Sequence, residues 1–144
     1  MYQASIPITS EDFKAYYQLR FDVLRKPWNQ PLGSEIDKDE DISHHAFIKY
    51  NDEVLAVCRM QLNTPEIAQL RYMAVSPSMQ GKGLGKIIIQ FLEEKSKEMG
   101  AEKVILHARE NAVPFYQSCG YSIVEKSYLL FDEIQHYLME KHVK

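Results

Sequence analysis

Gly81, Gly83 and Gly85 stand at alternate positions and are interleaved with Lys82 and Lys86, making this the segment of the sequence best suited to chemistry. Glycine lets a backbone approach a ligand closely. Where such a turn opens a helix, the first free N–H groups also present a positive dipole end, so the combination suits a phosphate or similar anion. The same residues could do no more than start a helix, because a short glycine pattern by itself is a weak signal. The segment lacks the Gly-Lys-Ser/Thr ending of a nucleotide P-loop. Its glycine spacing also departs from the Gly-x-Gly-x-x-Gly of a dinucleotide-binding turn.

The turn has to be held by a strand before it and a helix after it. Glu66 to Val75 reads as that strand, stopped by Pro77, with Leu70, Tyr72 and Ala74 expected on one face and Arg71, Met73 and Val75 on the other. Leu84 to Met99 reads as the helix, apolar at Ile87, Ile88, Ile89, Phe91 and Leu92 and closed by Gly100. Upstream, Tyr2 to Ile8 reads as a short strand limited by Pro7. Residues 10 to 25 read as a helix capped by Ser10, and 26 to 43 as an acidic loop carrying Glu35-Ile-Asp37-Lys-Asp39-Glu40-Asp41. His45 to Tyr50 and Val54 to Leu62 form a hairpin. Downstream come a buried strand at Val104 to His107, a short helix from Ala112 to Cys119, a strand at Tyr121 to Val124 and a last strand at Gln135 to Lys141. The order β-α-β-β-β-α-β-α-β-β implies an α/β (α+β) domain, a mixed sheet with helices on its faces.

A chain of 144 residues with 45% hydrophobic and 26% charged residues reads as one globular domain over 1-144 rather than a disordered or membrane-spanning chain. Seventeen basic against 20 acidic residues give a net charge of -3, which argues against a nucleic-acid partner. No apolar run approaches the roughly 20 residues of a transmembrane helix, and Met1 to Ser10 does not read as a signal peptide. With only Cys58 and Cys119 there is no disulfide framework, and the expected setting is cytoplasmic, with no membrane partner.

Gln80-Gly-Lys-Gly83-Leu-Gly85 resembles the Gln/Arg-x-x-Gly-x-Gly/Ala acyl-coenzyme A signature of the GNAT superfamily of N-acetyltransferases. Ala112-Val-Pro-Phe115-Tyr116, followed by Gly120-Tyr121, is similar to that family's second signature, and the N-terminal half resembles the ElaA-like branch more weakly. The resemblance covers essentially the whole chain. It implies a mostly antiparallel central sheet and transfer of an acetyl group from acetyl-CoA to a primary amine of a small molecule or peptide, with no metal. The alternative is a non-catalytic acyl-CoA-binding module of the same fold. By the same resemblance, Met73, Ala74 and Val75 pair with the pantetheine arm, and Gln80, Gly81, Lys82, Gly83, Leu84, Gly85 and Lys86 hold the pyrophosphate. Ala112, Phe115 and Tyr116 complete the cofactor site, with Tyr116 as the acid for the leaving thiolate. A backbone N–H near Val75 would polarise the carbonyl.

Arg109 occupies the place where the family often has Asn, so a phosphate, a substrate carboxylate or solvent are all open as its partner. The acceptor amine needs a base, for which His107, His136, His44 and His45 are candidates. The resemblance favours His136, with Glu35 as its companion. Cys119, one turn beyond Tyr116, reads as a buried thiol rather than a nucleophile. The acidic loop either borders the acceptor mouth and attracts cationic amines, or is merely solvated. A homodimer is compatible with the sequence.

Overall fold

A computed structural model of the chain describes residues 1–144. Helix α1 (Ser10–Leu24) begins one residue earlier in its capping than the expected Ser10 cap: Thr9 Oγ1 accepts from Asp12 N–H at 3.0 Å, and Asp12 accepts from Thr9 N–H at 3.3 Å. A reciprocal cap needs an acceptor side chain three residues on, which Thr9 has in Asp12 and Ser10 lacks in Phe13. The same carboxylate takes the N–H of Ile8. Strand β1 is accordingly only Ala4–Ser5, shorter than expected. Strands β2 (His44–Tyr50), β3 (Glu53–Thr64) and β4 (Ile67–Val75) follow as a meander, then helix α2 (Leu84–Glu98), strand β5 (Lys103–Arg109) and helix α3 (Val113–Ser118). The chain ends in a long hairpin of β6 (Ser122–Leu130) and β7 (Ile134–His142), in which β6 runs six residues beyond the expected Val124.

The seven strands form one sheet in the order β1-β2-β3-β4-β5-β7-β6, and only the β4–β5 pair is parallel. Alternating side chains commit the sheet to two covered faces. On one, Ile88, Ile89 and Leu92 of α2 and Val113 and Tyr116 of α3 bury Met60, Leu70, Val104 and Leu106. On the other, Tyr16 and Leu24 of α1 bury Phe47, Val57 and Ala74. Strand β4 breaks the expected alternation. Val57 faces Ala74 while Arg59 faces Arg71, so Tyr72 and Met73 together oppose Cys58 as a bulge, and Tyr72 takes a left-handed φ of 58°. Leu70 therefore shares the α2 face with Met73 and Val75, whereas Tyr72 and Ala74 lie under α1.

Between α1 and the sheet sit two fully buried guanidinium groups, Arg20 and Arg59. The acidic loop neutralises them. Glu40 Oε2 accepts from Arg20 Nη1 at 2.9 Å and from Arg59 Nη1 at 2.7 Å, and Asp37 accepts from Arg59 at 2.7 Å and from Arg71 at 3.3 Å. The backbone carbonyl of Glu35 also accepts from Arg20, and its carboxylate turns back to its own loop at Gly33 N–H. Asp37 and Glu40 fit neither sequence reading of this loop, because they are spent inside the fold on two buried cations, whereas Lys38 and Asp41 stay exposed.

Removing one member of a buried ion network leaves the others uncompensated, so Glu40→Ala is expected to cost about 3–5 kcal/mol of unfolding free energy, measurable by urea denaturation. Burial raises the Asp37 pKa, but the Arg59 hydrogen bond, the Asp39 N–H and the field of Arg71 outweigh it and hold the carboxyl well below its usual range. A carboxyl depressed in the folded state contributes stability above its ordinary value and loses it as pH falls. The urea midpoint of the natural chain should therefore drop more steeply below pH 4 than that of Asp37→Asn.

Candidate functional site

The parallel rungs between β4 and β5 run from Ile67–Lys103 to Leu70–Leu106 and stop there, whereas β4 stays paired to β3 as far as Val75. Past Leu70 the two strands part. The gap they leave is the mouth of a cavity of about 900 Å³. Ser76 N–H donates to Leu55 O at 2.8 Å, which makes the Ala56–Val75 couple a non-hydrogen-bonded pair. The N–H and C=O of Val75 accordingly point away from β3 toward the gap. Its carbonyl accepts from Gln80 Nε2 at 3.4 Å, folding the turn back onto the strand end, and its N–H is left toward the cavity.

Gly81 and Gly83 take φ of 80° and 83°, and a Cβ on either would meet nothing within 4 Å. Gly83 is the N-cap of α2 and supplies no side-chain cap. The first turn of α2 is thus an open cradle of backbone donors at a positive dipole end. Gly85 does a different job. A Cβ there would lie 2.8 Å from both Met73 Cε and Phe115 Cζ, so its hydrogen is what lets β4, α2 and α3 meet. These features fit a pyrophosphate held by backbone amides, with Lys86 beside it.

Tyr116 is carried on α3, whose place is set by the turn behind it. Tyr121 packs edge-on to Tyr116 and donates to Glu93 of α2 at 2.7 Å, while Lys141 of β7 reaches Glu93 at 3.1 Å and Cys119 O at 2.9 Å. The Tyr116 phenol lines the cavity and has no hydrogen-bond partner in the protein. Burial, with the nearby Cys58 and Cys119 thiols, raises its pKa against the opposing field of Arg109, so it stays protonated and keeps an O–H to donate. Cys119 is a buried thiol whose pKa burial also raises, in keeping with its reading as a packing residue.

His107, Arg109 and His136 stand on the α1 side of the same gap, since Val104, Leu106 and Ala108 alternate to the α2 face and Arg109 is opposite His136 in register. His136 is 4% exposed and stacks on Tyr128 with ring centroids 4.4 Å apart. Its Nδ1 lies 3.0 Å from Ile134 O, which requires a proton on Nδ1 and leaves the Nε2 lone pair free. Burial lowers the pKa of His136 despite that hydrogen bond, and Arg109 and His107 lower it further. Burial and then Arg71 do the same for His107. Both shifts favour the neutral imidazole.

Of the residues singled out from the sequence, Met73 to Val75, Gln80, Gly81, Gly83 to Lys86, Ala112, Phe115, Tyr116, His136, His107 and Arg109 all line this cavity. Lys82 is exposed and does not. His45 is held by the Tyr16 hydroxyl at 2.8 Å and by Glu40 O at 2.8 Å and serves the core, and His44 beside it lies outside the cavity. Glu35 is buried under α1 and is no companion of His136. Sequence reasoning passed over Arg25, Arg71 and Tyr128, which also line the cavity.

Residues 11–121 match the acetyltransferase (GNAT) family. Among individual proteins, the chain is 30% identical over 139 residues to the uncharacterized N-acetyltransferase YjcF of Bacillus subtilis, covering 96% of this chain and 99% of that one. Its fold superposes on Escherichia coli ElaA with a TM-score of 0.83 at 23% identity, over 99% of each chain. It also superposes on a Bacillus subtilis acetyltransferase in complex with CoA with a TM-score of 0.80 at 18% identity, again over 99% of each. No helix is long and apolar enough to cross a membrane.

The two imidazoles give a direct check on the site. NMR titration should place the His107 and His136 midpoints below the ordinary 6.5, and Arg71→Gln should move His107 upward by removing one of the two causes of its depression.

Proposed function

The chain belongs to the GNAT acetyltransferase family, and on that premise we propose that it transfers the acetyl group of acetyl-CoA directly to a primary amine of a small molecule or peptide. The observation that carries this reading is that one cleft joins an uncapped helix start with open glycines to a protonated phenol that has no hydrogen-bond partner in the protein. The first turn of α2, with Gln80 and Lys86, would hold the pyrophosphate. The free edge of Met73 to Val75 would pair with the pantetheine arm as a further strand. When bound, acetyl-CoA supplies the activated acyl group.

The residues of the chain account for the rest. The Val75 N–H, directed into the gap, would donate to the acetyl carbonyl oxygen as negative charge builds on it. His136, whose Nδ1 is held by Ile134 O and whose Nε2 is free, would take the proton that the amine must lose before or as its nitrogen bonds to the carbonyl carbon. The C–S bond breaks in the same exchange, and Tyr116 O–H would give its proton to the departing sulfur. Solvent takes the proton from His136 and returns one to Tyr116 as the thiol leaves. Atoms balance as amine plus thioester going to amide plus thiol, with no group left on the protein.

Acetyl-CoA should raise the melting temperature, and ATP or NAD should not. Tyr116→Phe should lower kcat by roughly one to two orders of magnitude while keeping that thermal shift, because the phenol acts on the leaving group rather than on binding. Gly83→Val should abolish the shift, since a β-branched residue is strained at φ 83° and its side chain fills the cradle. Unchanged turnover in Tyr116→Phe would remove the acid role. A thermal shift with no thiol release for any amine would favour the binding module.

A further inference from the structure

We infer that the amine acetylated by this chain carries an anionic group, a carboxylate or phosphate, seated between Arg25, Arg71 and Arg109 on the α1 side of the cleft. The inference rests on the acetyl-transfer reading above and names its acceptor class. The cavity wall contains Arg25, Arg71, Arg109 and Lys86 and not one Asp or Glu. Asp37 and Glu40 of the acidic loop are spent on Arg20 and Arg59, and none of the loop's carboxylates lines the cavity.

Two of these guanidinium groups are unpaired in a specific way. Arg25 donates from Nε to Ser34 O at 3.1 Å and from Nη1 to Leu24 O at 3.1 Å. Arg109 Nη2 reaches the same Leu24 carbonyl at 3.5 Å. Both make hydrogen bonds only to neutral backbone, and neither has a carboxylate within 4 Å. Burial and then the field of Arg25 lower the Arg109 pKa, which is the mark of like charges brought together. Arg71 does have a carboxylate, Asp37, at 3.3 Å, but Asp37 is shared with Arg59 at 2.7 Å. Half-buried cations converging without counter-charge are costly, and a ligand anion removes that cost.

The cations are also pre-oriented. Arg25 lies 5.6 Å from the Tyr72 ring centroid and 5.7 Å from Phe131, Arg71 lies 5.0 Å from Tyr72, and Arg109 lies 5.9 Å from Trp28. Aromatic faces fix a guanidinium without neutralising it.

The phosphates of coenzyme A are not the natural occupant. The glycine cradle opens α2, on the far face of the sheet, whereas Arg25 follows α1, Arg109 reaches back to Leu24 of α1, and Arg71 bonds to the loop beneath it. The gap between β4 and β5 passes through the sheet, so thioester and acceptor enter from opposite faces. His107 and His136 stand on the arginine side, where the amine of such an acceptor must shed its proton.

The test uses matched pairs of amines, an amino sugar against its phosphate ester and an amino acid against its amide, with thiol release as the readout. The anionic member of at least one pair should have the higher kcat/KM by roughly tenfold or more, as a charge-assisted pair to guanidinium implies. The pair that discriminates tells phosphate from carboxylate. Arg25→Gln and Arg109→Gln should erase the preference through KM, Arg25→Lys should retain part of it, and all three should keep the acetyl-CoA thermal shift. Preference for the neutral members or for a diamine, or a preference that survives both glutamine variants, overturns the inference while leaving acetyl transfer standing. Calorimetric titration of the natural chain with the same pairs reads the anion selectivity without turnover, and equal affinity within each pair overturns it there too. Loss of acetyl-CoA binding by the natural chain would instead overturn the transfer reading.

Discussion

The backbone of Tyr72, held in the left-handed region at φ 58°, is the constraint on which the site depends. A bulky aromatic residue there costs on the order of 1–3 kcal/mol and persists only if its surroundings compensate. They do. The phenol donates to Asp37 at 3.2 Å, and the guanidinium groups of Arg20, Arg25, Arg59 and Arg71 lie 4.3 to 5.6 Å from its ring centroid. Each such contact contributes roughly 0.5–2 kcal/mol, enough together to hold the strain. The bulge beside Tyr72 turns β4 away from β5 while leaving it bonded to β3, and the cavity is the space between the parted strands.

The same hub divides charge between the faces of the sheet. Asp37 and Glu40 are drawn beneath α1 by Arg20 and Arg59, so two carboxylates of the segment that looked most negative in the sequence are neutralised inside the fold. The cations left over face the cleft. The net charge of -3 is a sum over the whole chain and so conceals a cavity wall without a single carboxylate. The α2 face receives its positive character differently, from backbone amides at an uncapped helix start, which suits the close approach of a phosphate better than side chains would.

Positioning at this site is rigid rather than loop-borne. Tyr116 rests on α3, braced by Tyr121, Glu93 and Lys141, and His136 is fixed by Tyr128 on one side and the Ile134 carbonyl on another. Val75 takes its orientation from the register of β3. Elements from nearly the whole chain thus converge on one gap.

The sequence by itself determined the order of ten elements, the glycine turn between strand and helix, and the α3 segment bearing Tyr116, because hydrophobic period, caps and glycine positions are local properties. The cap shift from Ser10 to Thr9 and the longer β6 are small errors of the same local kind. Tertiary structure alone decided what the local pattern could not encode. Strict alternation put Leu70 and Ala74 on one face, but a bulge stabilised by residues more than thirty positions away separates them. The acidic loop looked solvated or substrate-facing, because only the fold reveals two buried arginines that require it. Arg25, Arg71 and Arg109 were scattered charges in the chain. They become a site because α1, β4 and β5 meet there, and long-range Coulomb and aromatic contacts have no signature in sequence spacing.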